Sequence, residues 1–150
     1  MMSFTQSIYH VVFRTKGSQC NLNFENERLL YNYIYSTSIN LGCHVYRIGG
    51  MPDHIHICVG LPPSLSIAKY AEVVKVSATK RFKQSAEFPY FLGWSKGYAA
   101  FSISYDSVDD VVEYIKGQKV HHQSFGFANE YIRLVKDAGI NVTEEILFKD

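Results

Sequence analysis

Two histidines two residues apart, His54 and His56, are the side chains whose types and spacing most directly suggest chemistry. They lie in the stretch Gly49-Gly50-Met51-Pro52-Asp53-His54-Ile55-His56-Ile57-Cys58-Val59-Gly60. Gly-Gly and Met-Pro-Asp are turn chemistry, and the alternation that follows predicts a half-buried strand. Successive strand side chains point to opposite faces. Ile55, Ile57 and Val59 should therefore enter the core, leaving His54, His56 and Cys58 together on the other face. At about 3.3 Å per residue the two histidines sit roughly 6–7 Å apart, close enough for both rings to converge on one metal ion or one phosphate. Cys58, about 13 Å from His54 on the same arithmetic, is too distant to share that ion with both. An isolated His-x-His pair also fits two surface histidines on a sheet, so the rest of the chain has to decide.

A second pair is Tyr114 and Gln118 in Tyr114-Ile115-Lys116-Gly117-Gln118. At i and i+4 they stack on one face of a helix, a hydroxyl nucleophile beside an amide oxygen that could act as a third metal ligand. With 11 tyrosines in the chain, this spacing alone carries little weight. His121 and His122 follow at i+3 and i+4 from Gln118, and either could face the same site.

Length and composition set the frame. With 150 residues, 47% of them hydrophobic and 15% aromatic, the chain should form one domain over 1–150 with its own core. The 15 basic and 14 acidic residues nearly cancel, so a nucleic-acid surface would have to be local. Cys20, Cys43 and Cys58 have neither zinc-knuckle nor disulfide-framework spacing. No signal peptide and no membrane-length apolar run is read, and a cytoplasmic protein is expected.

The elements follow in order. Ser7 to Arg14 reads as a first strand. A helix runs from Glu25 through Leu41, with Gly42 as its cap, and Cys43 to Ile48 forms a second strand. The Gly-Gly turn makes a hairpin with the histidine strand. A second helix starts after Pro62-Pro63, with Ser64 or Ser66 as N-cap and an apolar stripe of Ile67, Ala71, Val74, Ala78 and Phe82. Trp94 to Ser104 contains the last strand. Ser107 and Asp110 resemble a capping box opening a third helix, and a fourth covers Phe127 to Lys136. This β-α-β-β-α-β-α-α order predicts an α+β, ferredoxin-like (split βαβ) antiparallel sheet, with helices on one face and a C-terminal helical extension. The second helix gathers Lys69, Lys75, Lys80, Arg81 and Lys83 against Glu72, either a solvated face or a phosphate-contacting surface.

Met51-Pro52-Asp53-His54-Ile55-His56, Trp94-x-x-Gly97-Tyr98 and Tyr114-x-x-x-Gln118, in that order, together resemble the HUH-class single-tyrosine transposases of small bacterial insertion sequences. The relatives of that class include the REP-associated tyrosine transposases, and Tyr9-His10-Val-Val-Phe-Arg14-Thr-Lys16 resembles its first strand. The resemblance implies a divalent-metal endonuclease and strand transferase acting on single-stranded DNA. It implies Mg²⁺ or Mn²⁺ bound by His54, His56 and Gln118, with Tyr114 as the nucleophile that leaves a 5′-phosphotyrosine link and a free 3′-hydroxyl. It further implies homodimers, recognition of hairpins near the element ends, and a nucleophile helix that can be donated to the partner. DNA contacts are expected from Arg14, Lys16, Lys75, Lys80, Arg81 and Lys83, and a supporting role from His122.

Two rival readings stay open at this point. A histidine-triad nucleotide hydrolase would use His56 as nucleophile, although Cys58 stands where a third histidine belongs. A domesticated, non-catalytic single-strand-binding module would use basic and aromatic side chains without chemistry.

Overall fold

The computed structural model describes residues 2–121 and 126–150. Its centre is a four-stranded antiparallel sheet of β1 (Ile8–Arg14), β2 (His44–Met51), β3 (His54–Gly60) and β4 (Ala99–Ile103). The strand order is β2-β3-β1-β4, so the histidine strand β3 is internal, paired with both β1 and β2. Helices α1 (Glu27–Asn40) and α2 (Ile67–Phe82) are the crossovers of the split βαβ plan. They are followed by α3 (Val108–Lys116), α4 (Gln118–His121), α5 (Phe127–Asp137) and α6 (Glu144–Leu147). The expected α+β, ferredoxin-like fold is therefore present. Among the described residues, no helix is long and apolar enough to cross a membrane.

Strand alternation divides the molecule into layers. Val11, Phe13, Ile55, Ile57 and Val59 pack against Leu30 and Ile34 of α1 and Tyr70, Ala71, Val74, Ala78 and Phe82 of α2. Fully burying each large apolar side chain in that core contributes about 1.5–3 kcal/mol. The opposite face carries the histidines. It is not open to solvent as a half-buried strand would be: every residue from His54 to Val59 is buried. The C-terminal extension folds back over it, with Cys58 and Ile8 packing under Val108 and Ile115 of α3. Val12 and Ala99 pack under Phe127 and Tyr131 of α5. Helices thus cover both faces of the sheet and not one as expected, because α3 and α5 each bring an apolar stripe that has only this face left to bury itself on.

Several local expectations are corrected. Gly49 and Gly50 are not the turn; they lie inside β2, opposite His56 and Ile55, and the turn is Pro52-Asp53. Their role is close approach. A Cβ on Gly50 would lie 2.3 Å from the His54 carbonyl oxygen. Ser66, not Ser64, caps α2 by accepting from the Lys69 N–H. Ser107 precedes α3 without a side-chain cap bond, so the capping-box expectation fails there. Tyr114 and Gln118 do not share one helix, because α3 ends at Lys116 and Gln118 begins α4 after Gly117.

Candidate active site

The turn that delivers β3 is pinned from two sides. The Thr15 N–H donates to the Asp53 carbonyl at 2.9 Å, and the Leu22 N–H donates to the Pro52 carbonyl at 2.9 Å. Thr15 extends β1, so the turn is fixed against the neighbouring strand, and His54 and His56 leave it on the face that α3 and α5 cover. Both histidines are fully buried. Their ring centroids are 5.0 Å apart, closer than the strand rise alone would place them, so the rings lean towards each other.

The two rings meet a residue that the sequence reading missed. Glu130 of α5 is buried between them: its Oε1 is 3.2 Å from His54 Nε2 and 3.4 Å from His56 Nε2. Its other oxygen, Oε2, accepts hydrogen bonds from the Tyr114 hydroxyl and, at 2.8 Å, from Gln118 Nε2. Gln118 closes the ring, its Oε1 lying 3.0 Å from His54 Nε2. His54, His56, Tyr114 and Gln118 therefore come together as the chain pattern suggested, but around a carboxylate. Within this one chain the Tyr114 ring lies 5.6 Å from the His56 ring, so the nucleophile candidate sits beside its own histidines. Phe127 stacks on His54 at 3.9 Å and seals that side.

The electrostatics follow from burial and hydrogen bonding. Burial opposes ionisation of Glu130, but the bonds with His54, His56 and Tyr114 outweigh it and hold the carboxyl well below the usual range. Burial likewise disfavours a charged His54. Its bonds to Asp53 and Glu130 reverse that and raise it, since Asp53 Oδ1 lies 2.7 Å from Nδ1 while oxygens also surround Nε2. His10 is 5% exposed and is pushed down to about 3 by burial and then by His56, so it is neutral. Burial and the Glu130 carboxylate push Tyr114 up, keeping it a protonated phenol.

This donor set fits a divalent ion. Nitrogen and oxygen ligands lie about 2.0–2.2 Å from such a metal, so neighbouring ligands in octahedral or tetrahedral arrangement stand about 3.0–3.5 Å from each other. The 3.0, 3.2 and 3.4 Å separations here are of that size. One ligand atom each from His54, His56 and Glu130 lies within 4.8 Å of the others. Cys58 belongs elsewhere, buried with Ile8, Val108 and Ile115. It offers no third member to a histidine triad.

The expected DNA-contacting cations are scattered. Arg14 is buried and bound to the Asp150 carboxylate at 3.1 Å and the Lys149 carbonyl at 2.9 Å. Lys75 donates to the Ser95 and Gly97 carbonyls at 2.9 and 2.6 Å. Arg81 pairs with Glu87, while Lys16, Lys80 and Lys83 are exposed. Lys75, Lys80 and Arg81 belong to α2, and Lys83 directly follows it, so this patch lies across the sheet from the histidines. His122 lies outside the described residues. At the sheet edge, a cleft of about 320 Å³ runs along β2 between α1, on the core face, and the α3–α4 junction, on the histidine face. It is lined by Arg28, Tyr31, Tyr35, Tyr46 and Arg47 and ends at Gln118.

The family model of the IS200-like transposases matches residues 3–118, and the chain belongs to that family. Two solved structures share its fold. One is a protein of Deinococcus radiodurans R1 assigned as a transposase, with 20% identity, TM-score 0.61, and 79% of this chain and 95% of that chain covered. The other is a REP-associated tyrosine transposase bound to a REP hairpin, with 14% identity, TM-score 0.61, and 81% and 72% covered. No curated protein matches the sequence.

Proposed function

We propose that this protein cuts and rejoins single-stranded DNA through Tyr114, with a divalent ion, Mg²⁺ or Mn²⁺, held by His54 and His56 together with Glu130 and Gln118. The observation that carries this reading is the convergence of those five side chains, from β3, the α3–α4 junction and α5, on one buried point in an IS200-like transposase.

The chain's own groups divide the chemistry. Glu130 Oε2 holds the Tyr114 hydroxyl by accepting its hydrogen bond; the Tyr114 oxygen attacks a DNA phosphorus atom, and its proton is given up to solvent. The bond to the 3′-oxygen breaks; that oxygen leaves with the electron pair and takes up a proton, so no proton is gained or lost overall. The products are a 5′-phosphotyrosine and a free 3′-hydroxyl, and the ester keeps enough free energy for a new 3′-end to reverse the step. When bound, the metal supplies Lewis-acid polarisation of the phosphate and stabilises the developing charge. Gln118 would join His54 in holding the ion and faces the cleft along β2, which supplies tyrosines for base stacking and arginines for phosphates. Hairpin-containing element ends are the proposed partners, by analogy with the hairpin-bound relative. The homodimer implied by the family resemblance is tested by light scattering.

The deciding experiment is a covalent-adduct assay with single-stranded DNA from both flanks of the protein's own locus. A metal-dependent protein–DNA band that disappears in Tyr114→Phe is the expected result. Tight metal-independent binding with no band would instead favour a binding module without chemistry.

A further inference from the structure

We infer that His10 is a positioning residue for His56: it accepts the His56 Nδ1–H and so turns the lone pair of His56 Nε2 into the site. The inference rests on the metal-site reading above and adds to it a residue outside the set of five. A neutral imidazole carries one N–H and one lone pair. A ring that binds metal through Nε2 must therefore carry its proton on Nδ1, and that proton needs an acceptor because the ring is buried. His56 Nδ1 lies 2.8 Å from His10 Nε2.

The sheet register explains why this residue does it. On β1, Val12 is opposite His56 and His10 is opposite Cys58. His10 is thus the diagonal neighbour of His56 on the same face, a spacing that a ring can bridge. The rings of Phe101 and Tyr114 pack edge-on against His10 at 6.0 and 5.9 Å and hold its orientation. His54 has the equivalent support from Asp53, 2.7 Å from its Nδ1. Each proposed imidazole ligand therefore has an outer partner on the nitrogen that faces away from Glu130.

The test is Mn²⁺ binding by calorimetry with the full-length protein, alongside the melting temperature of each metal-free variant. His10→Leu fills the space without an acceptor, whereas His10→Gln puts an oxygen near the position of Nε2. The expected result is a 10- to 100-fold weaker Kd for His10→Leu, the usual scale for loss of an outer partner. His10→Gln should stay within a few-fold of the parent. In a His56→Ala background, His10→Leu should cause no further loss, since its effect passes through His56. If His10→Leu does not fold, His10→Phe takes its place. Parent-like binding by the apolar variant, equal weakening by apolar and Gln variants, or an undiminished effect without His56 would each overturn the role of His10. Failure of the parent itself to bind Mn²⁺ would overturn the metal-site reading, and this inference with it.

Discussion

Gly49 of β2 lies directly against Ile115 of α3: a Cβ on Gly49 would stand 2.9 Å from Ile115 Cγ2 and 3.2 Å from the Ile115 carbonyl oxygen. Ile115 follows Tyr114 in the chain, so the missing side chain on the strand sets how closely the tyrosine helix approaches the histidines. Gly49→Ala should push α3 outward and cost about 1–3 kcal/mol through overpacking. At about 2–4 °C per kcal/mol for a chain of this length, the melting temperature should fall measurably, and adduct formation should slow. Gly50→Ala should be worse, since its Cβ would meet backbone atoms of His54 and Ile55 at 2.3 and 2.8 Å. An unchanged melting temperature in Gly49→Ala would show that α3 does not need this approach.

Glu130 and His54 should give the metal-free protein a stability window in pH. The folded-state value of Glu130 is depressed, so its contribution is complete above the ordinary Glu value of about 4.3 and fades as the pH falls. That of His54 is raised, so its contribution is present below the ordinary His value of about 6.5 and is lost as the pH rises through the folded value. Urea unfolding in EDTA should therefore show greatest stability between these ranges. Glu130→Gln should flatten the acid limb. An acid limb of unchanged steepness in the variant would assign the effect to His10, whose folded value is pushed down to about 3, or to other carboxylates.

Removing the carboxylate should also weaken metal binding. Glu130→Ala and Glu130→Gln should each raise the Mn²⁺ Kd by at least about tenfold, comparable to or greater than the loss of an outer partner. Calorimetry measures this directly, and binding that is indifferent to both changes would leave Gln118 as the third ligand.

DNA affinity should separate the two basic regions. Arg28→Ala and Arg47→Ala, in the cleft that ends at Gln118, should each lower the salt-dependence slope for single-stranded DNA by about 0.7. Lys80→Ala and Lys83→Ala, neither of which lines that cleft, should leave the slope for a short unstructured strand unchanged. The reverse pattern, measured by fluorescence anisotropy over a salt series, would move the DNA path to α2.

The three thiols should differ in reactivity. Cys20 is exposed, whereas Cys43 and Cys58 are buried and burial pushes both up to about 11. At pH 8 a disulfide reagent should titrate one thiol quickly and the other two only after unfolding. Rapid reaction of Cys58 would mean that α3 detaches readily from β3.

The sequence alone determined the features that depend on neighbours along the chain. The two-residue period of β3 placed His54, His56 and Cys58 on one face opposite Ile55, Ile57 and Val59, because successive strand side chains must alternate. The order of strands and helices carried the split βαβ plan, and the motif order carried the family. Only the tertiary structure decided what covers the histidine face. Helical spacing pairs Tyr114 and Gln118, yet the helix breaks between them, and beyond their own contact both converge on Glu130. Glu130 lies 74 residues after His56, so no local period connects the two. One signal did exist: Phe127, Tyr131 and Val135 form an apolar stripe on α5, and Glu130 is buried with them. A carboxylate buried on an apolar face requires charged or hydrogen-bonding partners. That requirement is legible in one dimension, but the partners are not, because they come from strands and helices that only folding brings together.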